Sequence, residues 1–290
     1  MDHEEQYDHF PYPEQALDSP VSESLLEQKA CLEDVAGLKL NAKSDVMVFG
    51  AGSGNNALWL AQQYPEVHVS ALDISSVSLA HLEARADFHK IKNLTCFKGS
   101  LLDHKGKYDY ISAVGVLHHL EDPLEGFKTV HRCLKPEGVA GIMVYGKYGR
   151  TGVTQLQEAV RIGTQNLKTL EEKLDWLRPV LLSLAPTTWF ARGKNMFNPK
   201  NDTELVDIFL NPREKCYSLP DLRAELKESK LEVIEYLPKK DKLNLQPAIW
   251  FNDQNVLRVL EALPPEEQED FCEIWQGTLK KHAFYARRKK

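Results

Sequence analysis

The sequence of 290 residues lacks the features that would send a protein into a membrane or an oxidising compartment. No apolar stretch approaches the roughly 20 residues that span a bilayer. The first residues, Met1–Glu5, have neither the basic nor the apolar segment of a secretory signal. The five cysteines are scattered, with no pair at metal-ligand spacing. We therefore expect a cytoplasmic protein with reduced thiols and no bound metal.

Excess positive charge is also missing. The chain has 36 Lys and Arg against 42 Asp and Glu, a formal net charge of −6. Binding to a phosphate backbone needs a concentrated basic surface. The one strongly basic run, Arg287–Lys290, stands beside no apolar pattern, and we interpret it as a solvated tail. We expect neither a nucleic-acid partner nor a membrane partner.

Short apolar runs alternate with helical patterns along most of the chain, which is typical of an α/β fold. Several runs are uninterrupted, as expected for strands that are buried on both faces of a parallel sheet. The seven predicted strands are residues 46–49, 67–72, 94–97, 110–116, 139–144, 231–236 and 279–286.

The pattern divides the chain into four parts. Residues 1–40 form an N-terminal cap or lid with a helix at 22–36, and residues 41–149 form the α/β core. Residues 150–215 form a helical insertion, whose Trp176, Trp189 and Phe190 we interpret as its core; the alternative is an aromatic cage. Residues 216–290 complete the α/β core, with a small helical insertion at about 250–276.

The first predicted strand runs directly into a glycine-rich turn, Gly-Ala-Gly-Ser-Gly at residues 50–54, and a helix follows. Glycines let the backbone turn sharply and let a ligand approach the main chain, and the N–H groups of the helix start face that ligand. A dinucleotide turn, G-x-G-x-x-G, would have its third glycine at position 55, where Asn55 stands. A purely structural turn remains the alternative.

An acidic residue follows the turn at the distance of one helix and one strand. Asp73 ends the second predicted strand, 19 residues after Gly54 (73 − 54). A carboxylate in that place accepts hydrogen bonds from the two hydroxyls of a ribose. The alternative role for Asp73, capping the next helix, is compatible with the first.

These features and three further motifs, taken in order, resemble the class I S-adenosylmethionine-dependent methyltransferases. The similar segments lie within residues 44–145, and two positions depart from the family pattern: Phe49 before the first glycine, and Ser100 where an acid is common. The motifs are residues 48–54 (VFGAGSG), 71–75 (ALDIS), 99–103 (GSLLD), 108–111 with 116–120 (YDYI and VLHHL), and 134–138 (LKPEG).

The resemblance implies a Rossmann-like, doubly wound, mostly parallel seven-stranded sheet with an antiparallel last strand, carrying the helical insertions. It implies S-adenosyl-L-methionine as the cofactor. The positions that match the family's cofactor contacts, together with Tyr12 from the N-terminal segment, are Gly50, Ala51, Gly52, Gly54, Asn56, Asp73, Ile74, Ser100, Leu101, Val114 and His119.

Methyl transfer from a sulfonium is an in-line displacement, so the protein mainly has to align the reactants, exclude water and, where required, remove a proton. His119 is the first candidate for a base, with His118 beside it; the alternative is that His119 positions the cofactor. Tyr145 and Arg150 are candidates for positioning the acceptor, with a surface ion pair as the alternative for Arg150.

Two further groups of residues have open roles. The first consists of Tyr7 and Tyr12, which either fold over the cofactor as a lid or belong to an unordered leader. The second lines the mouth of the site or forms a helix-end network, and its members are Asp207, Asn211, Arg213 and Tyr217.

The sequence predicts an enzyme that methylates O, N or C of a small molecule or a peptide side chain. The fourth strand does not end in the Asn/Asp-Pro-Pro-aromatic motif of adenine methylation, and the chain has no Pro-Cys dipeptide to attack a pyrimidine. The alternatives are a non-catalytic regulatory module that binds the cofactor, and an enzyme that uses the sulfonium for another reaction such as cyclisation.

Overall fold

A computed structural model describes residues 7–12, 15–193 and 197–289 of the chain. Seven strands in these ranges form one sheet in the order β3-β2-β1-β4-β5-β7-β6. β7 runs antiparallel to both of its neighbours, and the other pairs are parallel. The predicted Rossmann-like fold is confirmed. The strands are β1 (Val46–Phe49), β2 (Val69–Asp73), β3 (Leu94–Lys98), β4 (Tyr108–Val114), β5 (Leu134–Tyr145), β6 (Leu231–Leu237) and β7 (Lys281–Arg288).

Three of the four helices that cover the sheet begin at side-chain caps, and the helix that follows the glycine turn begins at Gly54 without one. Ser75 accepts a hydrogen bond from the backbone of Ser78, Asp122 accepts one from Leu124, and Ser218 forms a capping box with Asp221. Such caps satisfy N–H groups that have no partner inside the helix. The covering helices are Asn55–Gln63, Ser76–Phe88, Pro123–Cys133 and Leu219–Glu228.

The sheet is buried on both faces, which explains the uninterrupted apolar strands. In β1, Val46 and Val48 pack into one core, and Met47 and Phe49 pack into the core on the opposite face. All four side chains are buried. Burial of one such side chain stabilises the fold by roughly 1.5–3 kcal/mol.

The helix predicted for residues 22–36 is broken in the structure. A 3-10 turn, Leu25–Glu27, is followed by the helix Lys29–Asp34, with Gln28 in an extended conformation between them. The cause is Glu27, whose buried carboxylate accepts a 2.6 Å hydrogen bond from Ser112 of β4. The helical spacing of the apolar residues does not show that Glu27 is buried against the sheet.

The segment between β5 and β6 is helical and has its own apolar core, which includes Leu177, Phe190 and Phe209. Trp176 packs against this core, but Trp189 is 59% exposed and therefore does not belong to it. The elements are Thr151–Gly163, Leu170–Leu182, Trp189–Arg192, Asp202–Leu205 and the π-helical turn Val206–Leu210.

A second helical segment separates β6 from β7. It begins at Lys239, earlier than the predicted start near residue 250. In the described part of the chain, no helix has the length and apolar character needed to cross a membrane. The helices of this segment are Lys239–Leu243, Pro247–Trp250, Gln254–Glu261 and Pro265–Gln276.

Candidate functional site

A cavity of about 390 Å³ opens at the carboxyl ends of the parallel strands. β1 lies between β2 and β4, so the strand order reverses here, and open α/β sheets bind ligands at such a point. The volume is within the range of small-molecule sites. The wall contains Tyr7, Tyr12, Gln15, Gly50, Ala51, Gly52, Asn55, Asn56, Leu72, Asp73, Ile74, Ser78, Gly99, Ser100, Leu101, Val114, Gly115, Val116, His119, Leu120, Met143, Tyr145 and Asp207.

The glycine turn after β1 forms one wall of the cavity. Gly50, Gly52 and Gly54 have φ angles of +59°, +51° and +93°, a region that other residues rarely adopt. A Cβ atom on Gly50 would also collide with Val116, and one on Gly54 would collide with Leu82. Gly50 and Gly52 line the cavity, whereas Gly54 caps the following helix and lies outside the wall.

Asp73 at the end of β2 faces the same cavity and is tied to the glycine turn. Its carboxylate accepts hydrogen bonds from the backbone N–H of Gly52 at 2.8 Å and of Ser75 at 2.9 Å. Burial raises the pKa of this carboxyl, and the backbone hydrogen bonds lower it. Ser75 caps the next helix, so capping is not the role of Asp73. Its oxygens keep lone pairs for further donors.

The N-terminal residues 7–12 lie across the glycine turn. The carbonyl of Tyr12 accepts a 3.2 Å hydrogen bond from the backbone of Ser53. The carboxylate of Asp8 accepts a 2.7 Å hydrogen bond from the hydroxyl of Ser75. These contacts place the side chains of Tyr7 and Tyr12 in the cavity wall.

The turn after β4 carries the two histidines. His119 lines the cavity, and its Nδ1 lies 2.9 Å from the backbone carbonyl of Arg213. That contact assigns the proton to Nδ1 and leaves the lone pair of a neutral imidazole on Nε2. Burial lowers the pKa of His119, which favours this neutral form. His118 is fully buried behind it, with its ring centroid 4.1 Å from that of Tyr145.

Arg150 forms a buried ion pair. Its Nη2 donates to both carboxylate oxygens of Glu214 at 2.9 Å, and the two side chains are only 12% and 4% exposed. The guanidinium lies 3.7 Å from the centre of the Tyr145 ring. Tyr145 lines the cavity, but Arg150 lies behind it with its charge already paired. The structure therefore gives Arg150 no direct access to an acceptor.

A buried carboxyl from the helical segment completes the wall. Asp207 lies in the π-helical turn Val206–Leu210, is 5% exposed and reaches the cavity. Burial and the negative charge of Glu214 raise its pKa to about 7, against the lowering effects of Arg150 and a hydrogen bond from Asn211.

The sequence contained one signal for this position. An acid interrupts the otherwise apolar run Val206–Leu210. From the sequence, Asp207 either lines the mouth of the site or belongs to a helix-end network, and in the structure it lies in the cavity wall.

The cavity brings most of the predicted cofactor residues together with Tyr145. The exceptions are Gly54 and Arg150, which lie outside the wall. Arg213 forms an ion pair with Glu121, and Tyr217 is buried in the core. The predicted residues in the wall are Tyr12, Gly50, Ala51, Gly52, Asn56, Asp73, Ile74, Ser100, Leu101, Val114, His119 and Tyr145.

Comparison with known proteins agrees with this arrangement. Residues 47–140 match the family model described as a methyltransferase domain. Over these residues the chain is similar to methyltransferase domains, and its seven-stranded sheet has the fold of the class I, S-adenosylmethionine-dependent enzymes. The matched residues include the glycine turn, Asp73 and His119, and end within β5.

Individual relatives cover different shares of the chain. An uncharacterised protein of Synechococcus is 28% identical over 219 residues, 72% of this chain and 51% of its own length. Demethylmenaquinone methyltransferase of Chlamydia muridarum is 30% identical over 93 residues, 32% of this chain and 41% of its own length.

Among solved structures, PKMT2 of Rickettsia typhi in complex with AdoHcy is similar in fold. The TM-score is 0.69 at 18% identity, and the match covers 91% of this chain and 53% of that one. The chain thus spans about half the length of these relatives, apart from the methyltransferase of Chlamydia, of which it spans less.

The residues of the cavity suit the cofactor of this family. A Cβ atom on Gly52 would lie 2.5 Å from the backbone carbonyl oxygen of Tyr12, so glycine lets the N-terminal residues lie against the turn, and the carboxylate of Asp73 accepts the N–H of the same glycine. Ser100 accepts a hydrogen bond from the backbone of Leu102, so its hydroxyl oxygen is engaged locally. An adenine bound there would meet main chain and the apolar side chain of Leu101 in place of an acid.

Proposed function

We propose that the protein transfers the methyl group of S-adenosylmethionine to O, N or C of a small molecule or a peptide side chain. The observation that carries this proposal is a single cavity with two unlike walls. The glycine turn and Asp73 form a wall suited to a ribose and its attached chain, while Tyr7, Tyr145 and Asp207 form a second polar wall. A site that only stores a cofactor needs no second wall of this kind.

The residues divide the work between binding and alignment. Asp73 is placed to accept hydrogen bonds from ribose hydroxyls, and Leu101 and Val114 offer apolar surface to the base. When bound, S-adenosylmethionine supplies an electrophilic methyl group on a sulfonium. Tyr7 and Tyr12 cover the cavity from the N-terminal side and reduce the access of water.

The arrangement favours a compact acceptor. The acidic composition of the chain and the residues of the cavity wall do not offer the basic surface that a nucleic-acid acceptor requires. The same composition provides no polybasic segment for an anionic lipid surface, apart from the C-terminal run. We therefore propose neither nucleic acid nor membrane as the partner.

Calorimetry with S-adenosylmethionine, S-adenosylhomocysteine and NAD tests the cofactor assignment. We expect the first two ligands to bind and NAD to give no measurable heat, because Gly54 precedes the position of the third dinucleotide glycine. Binding of NAD without binding of S-adenosylmethionine would contradict the proposal.

The product that accumulates separates methyl transfer from its alternatives. Incubation with S-adenosylmethionine and a cell extract should yield S-adenosylhomocysteine together with a methylated compound. Formation of methylthioadenosine would indicate a reaction that consumes the amino-acid chain of the cofactor. Binding without turnover in any extract would indicate a regulatory module.

A further inference from the structure

Four side chains from distant segments converge in one part of the cavity, which we call the carboxyl-phenol end. They are the carboxyl of Asp207 and the phenols of Tyr7, Tyr12 and Tyr145. Burial raises the pKa of all three phenols, and the negative charge of Asp207 raises each of them further. The three phenols are therefore neutral at physiological pH, and they share the cavity wall with the carboxyl group of Asp207.

The charge near this end is negative on balance. Arg150 acts on Asp207, but it is held by both oxygens of Glu214. Glu204 adds a further negative charge nearby. The titratable groups that act on Asp207, or on which it acts, are Glu214, Arg150, Glu204, Tyr7, Tyr12 and Tyr145.

We propose that the methyl acceptor is an amine, which binds as an ammonium ion at the carboxyl-phenol end and gives its proton to Asp207. This inference rests on the proposed function and names the substrate class of the same site. Asp207 contacts the ammonium group directly, and the phenol rings form the walls around it.

Several acceptor classes fit this end less well. An ammonium ion is attracted both to a carboxylate and to the faces of aromatic rings. A carboxylate or phosphate acceptor would face Asp207 and find Arg150 already paired with Glu214. A neutral hydroxyl would gain a hydrogen bond but no charge attraction. Of the classes that the site admits, the amine alone uses both features of the wall.

The proton transfer also suits this carboxyl. An ammonium ion has no lone pair, so it must first lose a proton: R–NH3⁺ and the Asp207 carboxylate give R–NH2 and the carboxylic acid. For an amine with a pKa of about 10.4 and an ordinary aspartate with a pKa of about 3.9, the equilibrium constant for this proton transfer is about six powers of ten below one. Because the pKa of the Asp207 carboxyl is about 7, the equilibrium constant for proton transfer to it is only roughly three powers of ten below one.

The remaining bond changes balance without another reactant. The lone pair of the neutral nitrogen forms the new N–C bond, and the electron pair of the broken S–C bond stays on sulfur. The product is a methylated ammonium ion, whose positive charge replaces that of the sulfonium. The proton on Asp207 then passes to water, and the carboxylate is restored.

Paired probes of one shape test the inference. Benzylamine and benzyl alcohol are titrated into the protein saturated with S-adenosylhomocysteine, at pH 8, where Asp207 is ionised. We expect benzylamine to bind at least tenfold more tightly than the alcohol. Asp207→Asn should remove that difference and leave the affinity for S-adenosylhomocysteine within threefold. Glu158→Gln is the matched control, since it removes one exposed acid from the same helical segment.

A pH series gives a second readout that needs no variant. The ionised fraction of Asp207 rises about tenfold between pH 6 and pH 8 for a pKa of about 7, while benzylamine stays cationic. The affinity of the wild-type protein for benzylamine should rise by about the same factor. In Asp207→Asn it should stay flat.

Three results would overturn the inference: equal affinities for the amine and the alcohol, no binding of benzylamine, or unchanged amine binding in Asp207→Asn. Each leaves the proposed function intact as long as S-adenosylhomocysteine binds. If the wild-type protein does not bind S-adenosylhomocysteine, that result would instead contradict the proposed function itself.

Discussion

The two ends of the cavity are built in different ways. At the cofactor end, the backbone of Gly52 donates to Asp73, a residue 21 positions away. At the carboxyl-phenol end, the side chain of Asn211 contacts the hydroxyl of Tyr7, 204 positions away. One end depends on main-chain geometry within a strand-turn-helix unit, and the other depends on side chains that only the complete fold brings together.

This difference determines which substitutions each end of the cavity tolerates. A main-chain wall changes little when neighbouring side chains change, provided the glycines and Asp73 remain. The carboxyl-phenol end instead lies in front of a buried ion pair, Arg150 with Glu214, and loss of one partner from such a pair is strongly destabilising. We expect substitutions at the cofactor end to affect binding and substitutions at the other end to affect stability and pH dependence.

The largest expected effect follows from breaking the ion pair behind Tyr145. Arg150→Ala leaves the carboxylate of Glu214 buried without its partner, and we expect a loss of about 3–5 kcal/mol in the free energy of unfolding. The double variant Arg150→Met with Glu214→Gln should recover most of that loss. Urea denaturation of the two variants and the wild type measures both effects. An Arg150→Ala protein as stable as the wild type would show that the ion pair does not contribute to the free energy of unfolding.

The second effect concerns the pH dependence of stability. The folded-state pKa of Asp207 is about 7 against an ordinary 3.8, so between these values the folded protein holds a proton that the unfolded chain has lost. The contribution of Asp207 is therefore full below pH 3.8 and is lost as the pH rises towards 7. Between pH 5 and pH 8 we expect it to fall by about 2.6 kcal/mol.

Comparison with Asp207→Asn isolates this contribution from those of other groups. Urea titrations of both proteins at the two pH values should show the wild type losing more stability than the variant. Glu158→Gln, an exposed acid, should follow the wild type at both values. If Asp207→Asn and the wild type lose the same amount of stability between the two pH values, a group other than Asp207 causes the pH dependence.

The same contrast explains how much of the site the sequence predicted. Gly50, Gly52 and Asp73 stand at fixed distances along one strand-turn-helix-strand unit, so their spacing alone predicts that they meet. The role of Asp207 depends on a π-helical turn and on the position of a segment 200 residues from Tyr7. No local pattern encodes that distance.

The fold shows the same limit. Seven strands follow from their apolar runs, and their burial on both faces follows from the absence of alternation. The break at Gln28 and the pairing of Arg150 with Glu214 depend instead on partners from other segments. The periodicity of the sequence does not show which buried charged residues meet in the fold.

The third effect lies at the cofactor end. Asp73→Ala should weaken binding of S-adenosylmethionine by about tenfold to a hundredfold, roughly 1.5–3 kcal/mol, because a charge-assisted contact to the ribose is lost. Asp73→Asn keeps an acceptor for one backbone N–H and should lose less. Calorimetry on both variants checks the order. Wild-type affinity in Asp73→Ala would restrict this residue to holding the glycine turn.

The smallest expected effect is on cofactor binding by Tyr145→Phe. The variant keeps the ring that lies 3.7 Å from the Arg150 guanidinium and removes only the hydroxyl of this cavity-lining residue. The affinity for S-adenosylhomocysteine should stay within about threefold, roughly 0.7 kcal/mol. Methyl transfer to the acceptor found in the extract should fall by a larger factor, because the hydroxyl belongs to the carboxyl-phenol end. The reverse result, weak cofactor binding with full turnover at saturation, would mean that the two ends of the cavity have been assigned the wrong way round.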